Sequence, residues 1–260
     1  MDMITGHDQE ATDAGLPSVL TGKGSTVFLP VAAGVNVDCA YCGTHAPCPH
    51  ALPSALAGRA LEPDEALDRV IPMLEHHGCV DELCIAGPGE ALVSPATRVV
   101  LRVLTWQYSG IGRSVWTNGL LLAEQLAELA RLGLNRVMIT INSYERLTAE
   151  RLYARVTYRG RCYVGRAAGD LLLEKQWLGL SLAKDHGLHV MVHSVLVPRV
   201  NEMDLGQIAS RASRLGADGM VLTSLGGPQP KDLDNGHVST LLLAKRRELS
   251  AYLPQVEFIS

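Results

Sequence analysis

The sequence predicts an α/β fold around a parallel sheet, either an open partial barrel or a doubly wound sheet. Six short apolar runs alternate with six segments of helical period, and each run ends near Gly, Asn, Ser or Pro. Strict alternation of strands and helices implies right-handed crossovers between parallel strands. The chain has 260 residues, of which 47% are hydrophobic. That is enough for one large core, so one main domain is expected.

The elements follow one another without long gaps. Predicted strands cover residues 26–32, 80–86, 113–116, 136–141, 188–197 and 219–223. Predicted helices cover residues 61–77, 96–107, 123–132, 170–186, 203–215 and 238–253. Pro63 suits the first turn of its helix, and Gly133 and Gly187 suit the ends of theirs. Residues 145–168 are less regular and are rich in Arg, Tyr and Gly. The predicted organisation is a flexible arm at 1–25, a barrel or sheet domain at 26–228 and a tail with a helix at 229–260.

Composition excludes several classes of function. The formal net charge is −4, and no basic run stands out, so nucleic acid is not an expected partner. No apolar stretch reaches the roughly 18 residues of a membrane span, and the first 25 residues do not resemble a secretory signal. Six cysteines are too few for a disulfide scaffold in a chain of this length. We therefore expect a cytoplasmic protein with no membrane partner.

Three of those cysteines cluster between residues 39 and 48, which indicates metal chemistry. Cys39 and Cys42 form a Cys-x-x-Cys pair with Tyr41 between them, and Cys48 follows. A cysteine at position 35 would complete Cys-x3-Cys-x2-Cys, but that residue is Val35. Thiolates suit iron–sulfur clusters or zinc. From spacing alone an iron–sulfur site, a zinc site that uses a nearby histidine, and a buried pair without metal all stay open.

Polar loops follow the other predicted strands. Because the carboxyl ends of parallel strands share one edge of a sheet, these loops and the cysteine loop should meet there. Glu90 could accept hydrogen bonds from an amino group, and Thr117 with Asn118 could contact a ribose or a carboxylate, although each could equally be a plain turn. The residues concerned are Gly87, Gly89, Glu90, Thr117, Asn118 and Asn142. His193, inside a predicted strand, is either a ligand or a satisfied core residue.

The motifs in order resemble the radical S-adenosylmethionine (SAM) family, and within it the NifB type that acts in nitrogenase cofactor assembly. The likeness runs from about residue 27 to about residue 225. It rests on the cysteine loop, Ile85-Ala-Gly-Pro-Gly-Glu, Thr117-Asn-Gly-Leu and the stretch ending at Asn142. The most specific part is Tyr158-Arg-Gly-Arg-Cys-Tyr-Val-Gly.

The resemblance implies a partial (β/α)6 barrel that binds a 4Fe-4S cluster and SAM. Family members cleave SAM to a 5′-deoxyadenosyl radical, and NifB proteins use SAM-derived methyl in cluster fusion and carbide insertion. Cys39 and Cys42 match the second and third ligands of the radical cluster, and Cys48 matches an accessory-cluster cysteine. Tyr41 is then expected near adenine, and Gly87, Gly89 and Glu90 near the methionine amino group. Thr117, Asn118, Asn142 and His193 complete the expected cofactor site.

The sequence also departs from the family pattern. Val35 replaces the first cluster cysteine, and no cysteine follows Cys162 where relatives carry a further Cys-x-x-Cys. Three hypotheses follow. The first is that the chain is a NifB-type radical enzyme that handles iron–sulfur cluster precursors with nitrogenase assembly proteins. Alternatively, it is a degenerate relative that binds SAM or clusters as a scaffold without radical chemistry. The third alternative is a zinc-stabilised α/β protein.

Overall fold

The structure, a computed structural model, describes residues 16, 18–21, 24–41, 59–76, 80–224 and 235–259. Its centre is an eight-stranded sheet in which every neighbouring pair is parallel except the first. In spatial order the strands are β1 (Ser18–Thr21), β2 (Gly24–Ala32), β4 (Val80–Pro88), β5 (Gly112–Thr117), β6 (Arg136–Thr140), β9 (His189–Leu196), β10 (Gly219–Ser224) and β11 (Val256–Ile259). The expected parallel α/β architecture is confirmed.

Helices connect the strands, and six of the seven in the described part of the chain match predicted helices; the seventh, at residues 146–152, is not predicted. They are α1 (Pro63–His76), α2 (Ala96–Gln107), α3 (Leu122–Arg131), α4 (Arg146–Leu152), α5 (Gly165–Asp185), α6 (Asp204–Arg214) and α7 (Asn235–Leu249). The main core lies between these helices and one face of the sheet, where alternate residues such as Leu29, Ile85 and Val115 are fully buried. A smaller cluster on the other face joins Phe28, Cys84, Ala86 and Trp116. This alternation follows from the two-residue period of a strand.

The irregular segment at 145–168 contains α4 and contributes two strands to a second, three-stranded sheet, which the sequence does not predict. Its strands are β3 (Val37–Cys39), β7 (Tyr153–Tyr158) and β8 (Arg161–Val164), all antiparallel. Strand β7 alternates only partly between buried and exposed side chains, so its period is weak in sequence. This small sheet holds residues 37–39, which include the first cysteine of the Cys-x-x-Cys pair, against β7.

The ends of the chain also add strands to the main sheet. Strand β1 lies in the predicted arm and β11 in the predicted tail, and each has four residues. Runs of four residues give little periodic signal, so the sequence predicts the helix in the tail but neither of these two strands. The three-part division at residues 25 and 228 stays a prediction. No helix in the described part of the chain is both long and apolar enough to cross a membrane.

Candidate functional site

A pocket that is partly open to solvent lies at the carboxyl ends of the sheet strands. Two walls enclose it. The strand-end wall is formed by the loops after β4, β5 and β6 with part of α5, and the cysteine wall is formed by residues 35–41 with β7. The lining comprises Val35, Val37, Cys39, Tyr41, Gly89, Glu90, Trp116, Thr117, Asn118, Thr140, Asn142, Tyr153, Leu172 and Gln176. The structure thus brings the polar loops after the strands together with residues 35–41 at one pocket, as the sequence predicts.

Glu90 is the anchor of the strand-end wall. Its side chain is only 6% exposed. One carboxylate oxygen accepts hydrogen bonds from the Thr117 hydroxyl at 2.6 Å and the Leu92 N–H at 3.0 Å. The other oxygen accepts from the Asn118 N–H at 2.7 Å. Burying a carboxylate costs free energy, and the three donors offset that cost. Because two of the donors belong to Thr117 and Asn118, Glu90 links the loop after β4 to the loop after β5.

Gly89 lets the ends of β2 and β4 approach each other closely. Its N–H donates to the Ala32 carbonyl at 2.6 Å, and the next N–H, of Glu90, donates to the Gly34 carbonyl at 2.7 Å. A Cβ at position 89 would lie 2.3 Å from the Gly34 oxygen. Only glycine fits that approach. Gly87 is buried in β4 and is not part of the lining, so the structure brings Gly89 to the pocket but not Gly87.

Asn118 links the two walls. Its side-chain amide donates to the Asn36 side-chain oxygen at 2.7 Å, and its own side-chain oxygen accepts from the Leu120 N–H at 3.0 Å. Gln176 on α5 donates to the carbonyls of Asn118 and Thr140 at 3.0 and 2.9 Å. The other end of this amide, the Gln176 Oε1 atom, is buried without a hydrogen-bond partner. An acceptor is therefore available in the lining for a ligand donor.

The cysteine wall is held by β7. The Ala40 N–H donates to the Leu152 carbonyl at 2.8 Å, and the Thr157 N–H donates to the Asn36 carbonyl at 2.7 Å. Cys39 is half-buried and pairs across the strands with Tyr153. Burial, and next the charge of a Cys39 thiolate, raise the pKa of Tyr153 above its ordinary value. The tyrosine therefore stays neutral beside the sulfur.

Val35 occupies the place of the missing ligand. It lines the pocket and is 56% exposed, four residues before Cys39. Cys42 and Cys48 lie outside the described residues. Within the described ranges no group of three His, Cys, Asp or Glu side chains could hold a metal ion. These residues therefore do not by themselves fit a 4Fe-4S cluster or a zinc ion, and valine supplies no ligand at the position where the family pattern requires one.

Tyr41 is fixed by the opposite wall. The Asn142 side-chain amide donates to the Tyr41 hydroxyl at 2.5 Å. The Asn142 side-chain oxygen accepts from the Val195 N–H at 2.8 Å, and its carbonyl accepts from the Asn201 side chain at 2.9 Å. Asn142 is fully buried. The aromatic residue of the cysteine loop is thus attached to the ends of β6 and β9.

His193 is not in the pocket lining. It is fully buried, and its ring nitrogens lie 3.1 Å from the Thr140 hydroxyl and 3.0 Å from the Thr223 hydroxyl. Trp116 packs edge-on against it, with ring centroids 4.8 Å apart. The structure thus places His193 as a satisfied interior residue that supports Thr140, and the assignment to the cofactor site stays a prediction.

Several lining residues were missed in the sequence. Trp116 directly precedes Thr117, so its position at a strand end was a usable signal. Tyr153 belongs to the irregular segment, and Gln176 lies inside a long helix, where nothing in the local pattern marks it. Tertiary packing alone brings these side chains to the site.

The family model of the radical SAM superfamily matches residues 29–212. The chain belongs to the radical SAM superfamily. The matched range contains every described lining residue, so the pocket lies within the radical SAM fold.

Curated relatives are similar to this chain over most of its length. The FeMo cofactor biosynthesis protein NifB of Chlorobaculum tepidum is 32% identical over 193 residues, which are 74% of this chain and 46% of that protein. NifB of Methanocaldococcus infernus is 28% identical over 189 residues, 72% of this chain and 62% of that protein. The chain therefore spans only about half of these relatives. The expected resemblance to NifB is confirmed.

Solved structures share the fold at low identity. A radical SAM methyltransferase from Sphaerobacter thermophilus has a TM-score of 0.59 at 17% identity, covering 94% of this chain and 69% of that chain. SuiB of Streptococcus suis bound to S-adenosylmethionine has a TM-score of 0.59 at 11% identity, covering 90% of this chain and 46% of that chain. These likenesses support the TIM-like barrel fold.

Proposed function

We propose that this chain is a NifB-type protein of FeMo-cofactor biosynthesis whose pocket binds SAM, without the three-cysteine ligation that reductive cleavage requires. The observation that carries the proposal is Val35, which occupies the exposed pocket wall at the position of the first ligand. Two thiolates hold an iron–sulfur cube less firmly than three. Neighbouring residues that orient ligands do not replace a missing ligand.

The pocket suits the nucleoside half of SAM. Tyr41, Trp116 and Tyr153 supply aromatic surface, and the buried acceptor on Gln176 matches a donor such as the adenine amino group. When bound, SAM would supply an activated methyl or adenosyl group. The chain's own residues would bind and orient the nucleoside, and Glu90 would keep the strand-end wall in place. Its role as a direct contact to the methionine amino group is part of this proposal.

A catalytic NifB-type enzyme is the second candidate. Two observations favour it: Cys39 lies in the pocket beside Tyr153, and strand pairing with β7 holds the cysteine wall in place. In this version Cys39 and Cys42 would hold a 4Fe-4S cluster together with another ligand, and the cluster would supply the electron for SAM cleavage in the fusion of iron–sulfur cluster precursors and carbide insertion. Nitrogenase assembly proteins would be the partners in either version. A zinc-stabilised protein would draw on Cys42 and Cys48, outside the described residues, and no observation favours it.

The substitution Val35→Cys separates the two versions. After anaerobic reconstitution with iron and sulfide, the native chain should hold little iron and release no 5′-deoxyadenosine from SAM under dithionite. The variant should gain both, because it restores Cys-x3-Cys-x2-Cys. Val93→Cys is the matched control, since Val93 is also partly exposed and packs near Gly34 at the wrong position. Release of 5′-deoxyadenosine by the native chain would establish the catalytic version instead.

A further inference from the structure

Trp116 lines the pocket and is restrained from three sides. Its ring belongs to the small apolar cluster on the second face of the sheet. Its indole N–H donates to the Thr140 hydroxyl at 3.0 Å. The ring also meets the imidazole of His193 edge-on, with an angle of 78° between the two planes. Because the terminal torsion of an aromatic side chain is broad, the hydrogen bond and the ring contact decide how the indole is oriented.

His193 contributes to both of these contacts. Thr140 and His193 are directly paired residues of β6 and β9, so the Thr140 hydroxyl lies 3.1 Å from the imidazole Nδ1 atom. The imidazole therefore touches the Trp116 ring and also holds the hydroxyl that accepts the indole hydrogen bond. Its Nε2 atom lies 3.0 Å from the Thr223 hydroxyl on β10, which fixes the plane of the imidazole. His193 is fully buried, and hydrogen bonds are stronger in such low-dielectric surroundings than in water.

The donors and acceptors along these contacts can be put in order. An indole N–H only donates, so the Thr140 oxygen accepts from Trp116 and keeps its own hydrogen to give. When each hydrogen makes one bond, the Thr140 hydroxyl donates to Nδ1 of His193, and a hydrogen on Nε2 donates to Thr223. The imidazole is then neutral, and what Thr140 requires from position 193 is an acceptor.

We propose that His193 is a positioning residue of the pocket, which sets the orientation of Trp116 through Thr140 and so shapes the aromatic surface offered to SAM. This inference rests on the proposed function, because it takes Trp116 to contact the nucleoside. It differs from a direct cofactor contact, since His193 lies outside the lining and acts through two other residues. The effect extends to α5, because the Thr140 carbonyl accepts from Gln176 at 2.9 Å.

Two amide substitutions separate the two ends of the imidazole. Asn carries its amide at the distance of Nδ1 from the backbone, so His193→Asn keeps an acceptor for Thr140. Gln carries its amide at the distance of Nε2, so His193→Gln keeps a partner for Thr223 alone. Calorimetric titration of the full chain with SAM should give His193→Asn an affinity within about twofold of the native chain. His193→Gln and His193→Leu should both bind SAM about tenfold more weakly.

Fluorine NMR of the chain labelled with fluorotryptophan reports on the indole without any ligand. The chain contains three tryptophans, and Trp116→Phe and Trp106→Phe assign their resonances. The Trp116 resonance should shift in His193→Gln and His193→Leu and keep its position in His193→Asn. The Trp106 resonance should not move in any of these variants, because that side chain is 87% exposed and outside the pocket lining.

Thr140→Val tests the same link with the imidazole intact, and it applies even where His193→Leu does not fold. It removes the hydroxyl at nearly constant side-chain volume, and it should shift the Trp116 resonance and weaken SAM binding as His193→Gln does. Thr105→Val is the matched control, because the Thr105 hydroxyl donates to the Leu132 carbonyl at 2.5 Å and Thr105 is not in the lining.

Three results would overturn the positioning role. These are equal effects of His193→Asn and His193→Gln, an unmoved Trp116 resonance in Thr140→Val, and a shifted resonance with unchanged SAM affinity. If the native chain does not bind SAM, the proposed function itself fails. The Trp116 resonance then decides alone whether His193 orients this residue.

Discussion

The two walls of the pocket are stabilised in different ways. The strand-end wall is closed by a buried carboxylate with three donors, so its geometry is set by charge-assisted hydrogen bonds. The cysteine wall has no buried carboxylate of this kind. It is held by backbone hydrogen bonds to β7 and to the end of α4, by side-chain contacts at Asn36 and Tyr41, and by the partly exposed ion pair between Asp38 and Arg155. The difference indicates that the strand-end wall is fixed by buried hydrogen bonds within the fold, whereas the cysteine wall, which carries Val35 and Cys39, depends on weaker and more exposed contacts.

The largest expected effect tests the centre of the strand-end wall. Glu90→Ala should lower the free energy of unfolding by about 4 kcal/mol, because three buried donors lose their acceptor. Urea unfolding measures the loss. Glu62→Ala is the control, since Glu62 is an exposed acid and should change stability by less than about 0.5 kcal/mol. A loss below about 1 kcal/mol for Glu90→Ala would mean that this wall does not depend on its carboxylate.

A smaller effect is expected at the cysteine wall. Tyr41→Phe removes the hydroxyl that accepts from Asn142 and should cost about 1 kcal/mol, the net contribution of one hydrogen bond. Urea unfolding of Tyr41→Phe, Asn142→Ala and the double variant gives the coupling between them. Tyr252→Phe is the control, because Tyr252 is 43% exposed and remote from the pocket lining. Additive effects in the cycle would show that the two walls are not joined through this bond.

The contrast between the walls also explains which features could be predicted from the sequence. The six central strands have clear apolar runs that end at Gly, Asn or Ser, so both the parallel sheet and the loops at its edge followed from local pattern. Glu90, Thr117 and Asn118 were found for that reason. Tyr153 and Gln176 have no local signal, since their position depends on how β7 and α5 pack against the barrel. The prediction that His193 belongs to the cofactor site rests on its position in the family pattern alone, whereas its contacts with Thr140 and Thr223 follow from the register across three strands.

The smallest effect concerns how the hairpin behind the cysteine wall is attached to the helices. Glu124 on α3 accepts a hydrogen bond from the Tyr158 hydroxyl and pairs with Lys175 and Arg159, each at 3.3 Å. The Tyr158 hydrogen bond, followed by the two cations and against the opposing effect of burial, lowers the pKa of Glu124 below its ordinary value of 4.5. A carboxyl whose pKa is lower in the folded state stabilises the fold above its unfolded-state pKa. That stabilisation is lost as the pH falls through the folded-state value.

The difference in unfolding free energy between the native chain and Glu124→Gln should therefore be largest near pH 7 and vanish towards pH 3. Its maximum should stay below about 1 kcal/mol, because this pair network is partly exposed. Glu128→Gln serves as the control on the same helix, since Glu128 pairs with Arg98 on α2 and not with the hairpin. After correction for the intrinsic pH dependence of exchange, the protection of β7 and β8 amides should fall at low pH in the native chain and already be lower at pH 7 in Glu124→Gln. If protection in the hairpin is unchanged by the substitution, the Glu124 network does not support the hairpin behind the cysteine wall.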